Sequence, residues 1–379
     1  MERVTSPQKP VYLDHAASSP MRPEALAAML PFLGERFGNP SGSHAVARAA
    51  RVAIEDARDA MADALGCAPS EVVFTGGGTE ADNLAISGFA YGRRVCSAVE
   101  HHAVLRPVEA AGGLTVAVDA DGLVDLDALR GALDNDVTVV SVMLANNETG
   151  VVQDLAAVLQ VVNEAAPEAA LHTDAVAAFC WRDIATEAAY ADLISVSAHK
   201  FGGPMGVGAL VVREGVELSP LLRGGGQERE RRSGTHNVPA IVGMAAAATV
   251  TVRTRAAEVA RIGALRERLA AGLIASVDGL VVTAPGAPHT AGTLHVRVPG
   301  AESEALVFAL DQLGLCTSAG SACASGALEP SHVLAAMGVD SASAHGALRL
   351  SFGWSSTEAD VDAALVAIPK AIEDLRARS

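Results

Sequence analysis

The chain has 379 residues, half of them hydrophobic but only 3% aromatic, and carries a net charge of −16 from 44 acidic and 28 basic side chains. That length allows two domains, or one large domain with an appendage, around a sizeable core of Ala, Val and Leu. The acidic balance argues against general nucleic-acid affinity, which needs clustered Lys and Arg, and no apolar run reaches the roughly 20 residues of a membrane span.

Met1–Pro10 is polar, with no apolar stretch of a secretion signal. Val11–Leu13 reads as a short strand ending in Asp14-His15-Ala16-Ala17, and Pro23–Leu33 as a short helix. Ser43 is placed to cap a long helix, Ala45–Leu65, that Gly66 closes. Apolar, β-branched strands follow at 71–74, 95–98, 115–118, 137–144, 170–173, 193–196 and 209–212, with helical periods after Thr79 and Asp125. Strands alternating with helices predict an α/β fold with a mostly parallel sheet covered on both faces. A Gly-rich, charged connection, Gly224–Asn237, precedes a largely helical stretch from Pro239 to Ala271. Smaller β and α units fill the rest: strands at 293–298 and 347–352, helices at 302–313, 331–337 and 357–377, and a loop at 316–330. The expected division is a large domain at 15–255 and a small one made of 1–14 and 256–379.

Polar residues fall just after five of these strands: Thr75–Thr79, Glu100–His102, Asn146–Glu148, Asp174 and Ser197–Lys200. In an open α/β sheet the ligand lies outside the carboxyl ends of the strands, so these segments are the candidate site. Gly76-Gly77-Gly78-Thr79 opens a helix, and its N–H groups with the Thr79 hydroxyl suit a phosphate. Neither nucleotide-binding glycine fingerprint is present. Lys200 stands at a strand end beside the Gly202–Gly208 loop, with Ser197 and His199 as polar neighbours. A desolvated lysine there is equipped for Schiff-base chemistry. Asp174 suits a protonated pyridine nitrogen, and also an ordinary helix cap. His101 is placed to stack on a flat cofactor; two adjacent histidines seldom point the same way, which disfavours a metal site. Lysine, aspartate and phosphate cradle together are the equipment for pyridoxal phosphate.

The cysteines are Cys67, Cys96, Cys180, Cys316 and Cys323. An odd, sparse set without a CxxC pair predicts reduced thiols, a cytoplasmic setting and no zinc. Cys323 lies in a run of small residues, Ser318–Gly326, without an apolar anchor, and is the candidate reactive thiol. Arg349, a charge in an apolar strand, needs a buried anion: a substrate carboxylate or an internal ion pair.

Several ordered motifs resemble the cysteine desulfurases of the class V aminotransferase group, pyridoxal-phosphate enzymes of fold type I. They are Asp14-His15-Ala16-Ala17, Thr75–Asn83, Glu100–Leu105, Asn146-Asn147-Glu148, Ser197–Lys200, Arg232–Thr235, Gly320–Cys323 and Arg349. The Gly-Ser-Ala-Cys loop is similar to that of the NifS/IscS-type subgroup. The resemblance implies that Lys200 carries the cofactor and that His101 stacks on its ring and assists proton transfer. Asp174 would pair with the ring nitrogen, and Gly78, Thr79, Ser197 and His199 would hold the phosphate. Thr235 would reach the cofactor of a partner subunit in a homodimer, Asn147 and Arg349 would hold the carboxylate of L-cysteine, and Cys323 would take its sulfur as a persulfide for an acceptor protein. Selenocysteine lyase, another lyase of this cofactor class and a non-catalytic sulfur-relay subunit are the alternatives. Ala177 departs from the pattern: the family usually has Gln there, bonded to the cofactor's phenolic oxygen. A lost hydrogen bond of that kind costs about 1–3 kcal/mol unless another group or water replaces it.

Overall fold

The computed structural model describes residues 10–319 and 331–377. In chain order it runs β1 (Val11–Tyr12), α1 (Pro23–Met29), α2 (Ala45–Leu65), β2 (Val72–Thr75), α3 (Gly78–Ser87), β3 (Arg93–Ser97), α4 (His102–Ala110), β4 (Leu114–Val116), α5 (Leu126–Ala132) and β5 (Val137–Ser141). Next come α6 (Leu155–Ala165), β6 (Ala170–Asp174), α7 (Ile184–Glu187), β7 (Leu193–Ser197), β8 (Gly208–Val212) and α8 (Val238–Ser276). The last part holds β9 (Val281–Val282), β10 (Thr293–Arg297), α9 (Ser303–Gln312), β11 (Leu315–Cys316), α10 (His332–Ala336), α11 (Ser341–Ala344), β12 (Ala347–Ser351) and α12 (Glu358–Arg376).

The central sheet has seven strands in the order β2-β8-β7-β6-β5-β3-β4. Only β8 runs against its neighbours. The Gly202–Val207 loop is too short for a crossover, so β8 returns antiparallel beside β7. Side-chain alternation then divides the apolar residues between the faces. Val73, Leu193, Leu210 and Val212 pack with α3 and α4. Val72, Phe74, Ile194 and Val196 share a core with α2, α6 and the first half of α8. Both faces are covered, which explains strands that are buried along their whole length.

Helix α2 buries Ala50, Ile54, Ala57, Met61 and Leu65, a stripe of helical period. Its cap is His44 rather than the expected Ser43. The extended backbone of His44 lets its Nδ1 accept from Ala47 N at 3.3 Å. At the other end Gly66 closes the helix in the left-handed conformation, with φ of 66°.

Beyond the sheet, β9, β10 and β12 form a small antiparallel sheet, and β1 joins β11 in parallel. A separate core gathers Leu13 with residues from Ile262 to Ile372. Helix α8 continues unbroken across residue 255, so the expected domain division falls inside one helix. Its Ile241, Met244 and Ala248 join the first core, and its Ile262, Leu265 and Leu269 the second.

Candidate active site

Because β2, β3, β5, β6 and β7 all point one way, their C-terminal ends share one edge of the sheet. All five polar segments emerge there. Gly78, Thr79, His101, Asn147, Asp174, Ser197, His199, Lys200 and Arg349 line a single cavity of about 350 Å³. Gly78 and Arg349, 271 residues apart in sequence (349 − 78), therefore converge as the strand ends require.

The wall formed by β2 and α3 is a cradle for an anion. Gly77 adopts φ of 146°, open to glycine alone in practice, and the turn delivers the free N–H groups of the ten-residue helix α3 to the cavity. A side chain on Gly78 would meet Val176 Cγ2 at 2.9 Å and Ser197 Cβ at 3.3 Å, filling the space beside Ser197. Thr75 Oγ1 donates to Gly77 O at 2.9 Å and fixes the turn from the strand side.

Lys200 sits one short turn past β7, and its Nζ reaches Ala16 O at 2.5 Å and Ala17 O at 3.1 Å. The Asp14–Ala17 segment therefore forms the wall opposite the sheet. Asp174 ends β6, is 4% exposed and accepts from Val176 N at 2.8 Å. Burial raises its proton affinity, and the Val176 N–H and Lys200 pull it back. His101 caps α4, with Nδ1 accepting from Ala103 N at 3.1 Å. Burial, then the neighbouring Lys200, lowers its pKa to about 4. A neutral imidazole accepting at Nδ1 carries its proton on Nε2. His101 is therefore a ring to stack and an N–H to donate, rather than a base at Nε2. His199 is likewise held neutral, near 4, by burial and Lys200, with Nδ1 3.4 Å from Ser18 Oγ.

Beneath Asp174 lies a buried polar layer that the sequence reading passed over. His172 Nδ1 is 2.8 Å from Ser141 Oγ, and its Nε2 is 3.0 Å from Ser195 Oγ. Burial lowers the His172 pKa to about 3, so it is neutral. Asp82 Oδ1 is 3.7 Å from His172 Nε2. Burial first, then the charge of Asp174, pushes the Asp82 pKa well up. The signal for Asp82 was a charge one helical turn after Gly78 on the buried face of α3. His332 was not legible as a site residue: it arrives from α10, stacks 4.6 Å from His102 and bonds Glu100 O at 2.9 Å.

Arg349 is 2% exposed, and both expectations for it meet in one place. It lines the cavity, pairs with Asp14 Oδ1 at 2.9 Å and donates to Asn147 O at 3.0 Å. Among the described residues its Nε has no hydrogen-bond partner. Thr235 is exposed and does not line the cavity of its own chain. Cys323 lies outside the described residues. Ala177 lines the cavity beside Val176.

These groups fit pyridoxal phosphate. The cradle exists because Gly77 and Gly78 lack side chains, Asp174 is a buried carboxylate facing the same cavity, and Lys200 supplies the primary amine. The comparisons agree with that chemistry. The aminotransferase class-V family model matches residues 11–364. An IscS-like cysteine desulfurase of Mycobacterium tuberculosis is 46% identical, over 96% of this chain and 97% of the relative. A cysteine desulfurase of Cereibacter sphaeroides is 45% identical, over 97% of each. A solved NifS-like protein superposes with a TM-score of 0.90 at 34% identity, covering 96% of this chain and 100% of that one. This chain thus belongs to the class-V aminotransferase family, in its cysteine desulfurase group, and is a pyridoxal-phosphate-dependent enzyme.

Proposed function

We propose that the chain converts L-cysteine to L-alanine and collects the sulfur as a persulfide on Cys323. The observation that carries this reading is the convergence of the cradle, Asp174, His101 and Lys200 on one cavity, with Arg349 at its rim. When bound, pyridoxal phosphate supplies the electron sink that lets bonds at the substrate's Cα and Cβ break. The protein's own groups do the rest. The Gly77–Thr79 turn, Ser197 and His199 hold the phosphate. Asp174 holds a proton at the ring nitrogen, and its burial makes that ion pair strong. His101 stacks and donates through Nε2. The amine of Lys200 anchors the cofactor and moves the Cα proton. Arg349, with Asn147 beside it, takes the substrate carboxylate; a carboxylate there adds to the pairing with Asp14.

The thiolate of Cys323 then attacks the substrate sulfur. A sulfur–sulfur bond forms, the carbon–sulfur bond breaks, and the carbon takes up a proton. Cysteine and a thiol thus become alanine and a persulfide, with atoms and electrons balanced. An acceptor protein of iron–sulfur assembly or thiolation takes the terminal sulfur, in the cytoplasm. We read 15–255 as the cofactor-holding unit and 1–14 with 256–379 as the unit that carries the Cys323 loop; the two apolar cores support that division. A homodimer is part of the same reading. Thr235 is exposed outside its own cavity, and Leu30, Leu33, Phe37 and Val52 leave apolar surface open on α2 and on the segment between α1 and α2.

The test is alanine release from L-cysteine by the cofactor-loaded protein, with and without a reductant, for wild type and Cys323→Ser. Reductant-dependent turnover that the substitution abolishes is expected. Alanine release that survives in Cys323→Ser would instead mark a lyase acting without the persulfide.

A further inference from the structure

Three consecutive residues, Glu228, Arg229 and Glu230, have φ of 49°, 55° and 65°. L-residues enter this region singly and at a cost, and runs of them are rare. Backbone held so far from its preference persists only where surrounding contacts over-determine it. Here the contacts are plain. The Glu228 side chain is buried and accepts from Nη1 and Nη2 of Arg58, at 2.9 and 2.7 Å, and lies 2.6 Å from His236 Nε2. Its Oε2 also accepts from Phe74 N at 2.8 Å. Phe74 is the last residue before Thr75, where β2 ends and the cradle begins.

The other end of the strained turn reaches the far side of the same cradle. Arg232 Nε pairs with Glu80 Oε1 at 2.9 Å. Glu80 Oε2 in turn accepts from Gly76 N at 2.7 Å. A Cβ on Gly76 would stand 2.6 Å from that oxygen, so a side chain there would push the Glu80 carboxylate off its contact. The cradle is thus gripped before it starts, at Phe74, and within it, at Gly76. The first grip is Glu228 itself, and the second is Glu80 of α3 held by Arg232; none of the three lines the cavity.

We infer that the 228–232 turn is a brace that preorganises the anion cradle, with Glu228, Arg232 and Glu80 as positioning residues for the cofactor's phosphate. The inference rests on the reading that the cradle holds that phosphate. A loop of glycines is otherwise free to sample many conformations, and ordering it on binding would subtract from affinity. The strained turn moves that ordering into folding.

Pyridoxal and pyridoxal phosphate offer Lys200 the same aldehyde and differ in the phosphate alone, so the ratio of their affinities for the cofactor-free protein isolates the cradle. Glu80 and Arg232 are partly exposed, at 24% and 23% of their side chains, so Glu80→Gln and Arg232→Met are expected to fold. Both aldehydes are titrated spectroscopically into wild type, the two single variants and the double variant. Wild type should prefer the phosphate form by 100-fold or more. Each single variant should shrink that preference at least fivefold while binding pyridoxal as wild type does. The double variant should lose no more than the worse single one, because the two residues act through one contact. Glu228→Gln should shrink the preference in the same way; if it does not fold, the Glu80 and Arg232 variants decide. An unchanged preference in the variants, or equal weakening toward both aldehydes, overturns the brace and leaves the cradle standing. A wild type that binds both aldehydes equally overturns the cradle reading and the brace with it.

Discussion

A carboxyl group buried at the end of a strand is costly to ionise, and for Asp174 the charge of Lys200 and the Val176 N–H offset that cost only in part. Burial raises its pKa from the ordinary 3.8. The sign of the linkage follows. A raised acid binds its proton more tightly folded than unfolded, so its contribution is most favourable below the unfolded value and is lost as pH rises through the folded one. At neutral pH the cofactor-free protein therefore carries a destabilising carboxylate that the bound pyridinium relieves. Asp174→Asn should stabilise the cofactor-free protein by about 1–3 kcal/mol at pH 7. That gain should fade toward pH 4, and cysteine turnover should fall at least 100-fold. Thermal melts at the two pH values, beside a turnover assay, check this. A variant less stable than wild type at pH 7 would show that Asp174 is held by contacts rather than strained by burial. The neutral His172 and the protonated tendency of Asp82 below it belong to the same economy of charge.

At the scale of elements, the 228–230 turn pulls stability in two directions. Its left-handed residues cost of order 1–3 kcal/mol each, and the Glu228 ion pair offsets part of that. Burial alone would raise the pKa of Glu228. Hydrogen bonds from His236 and Arg58 outweigh it and hold the carboxyl at about 2. A depressed acid stabilises the fold above its ordinary value, 4.5 here, and that contribution is lost as pH falls through the folded value. Glu228→Gln should therefore cost about 2–4 kcal/mol at pH 7 by urea unfolding, with the gap to wild type closing between pH 4.5 and 2. A gap independent of pH would mean that shape, not charge, holds the turn. Little of this turn was legible in the sequence, where Gly224–Asn237 reads only as a glycine-rich, charged connection. Strands were legible because continuous Val, Ile and Leu runs between turn residues have few other uses. Helix α2 was legible from its period, down to Gly66. Its cap was misplaced by one residue because His44 competes with Ser43 and only backbone geometry decides. The site residues at strand ends were readable because one edge of a parallel sheet collects them. His332 was not, since a contact across 230 residues (332 − 102) leaves no local pattern, and Asp82 showed only as a charge on the apolar face of α3.

On the scale of the whole molecule, the two cores meet beside the active site, and the chain's only two tryptophans, Trp181 and Trp354, both line that junction. Trp181 packs on the second core although its segment follows β6 of the first. Trp354 donates to Pro20 O at 3.1 Å and lies under the Arg22 guanidinium, 5.3 Å from the ring centroid. The join is close. A Cβ on Gly292, just before β10, would fall 2.1 Å from Trp181 Cζ2, a distance no neighbour of that rigidity can accommodate in place. Backbone bonds hold the same seam, from Thr290 N to Gly150 O and from Val152 N to Pro288 O, each 2.8 Å. Gly150 follows the Asn146–Glu148 segment of the cavity, so the seam and the substrate wall are continuous. Gly292→Ala should force Trp181 to turn away and cost about 1–3 kcal/mol of stability, the usual penalty for overpacking. Intrinsic fluorescence is the natural readout, because every tryptophan in the chain reports on this seam. A red-shifted emission with lowered melting temperature is expected, together with a raised KM for cysteine as the Asn147 wall shifts. Unchanged emission and stability would show that the two cores slide apart freely, and that the second core reaches the cavity through Arg349 and α10 without a fixed seam behind them.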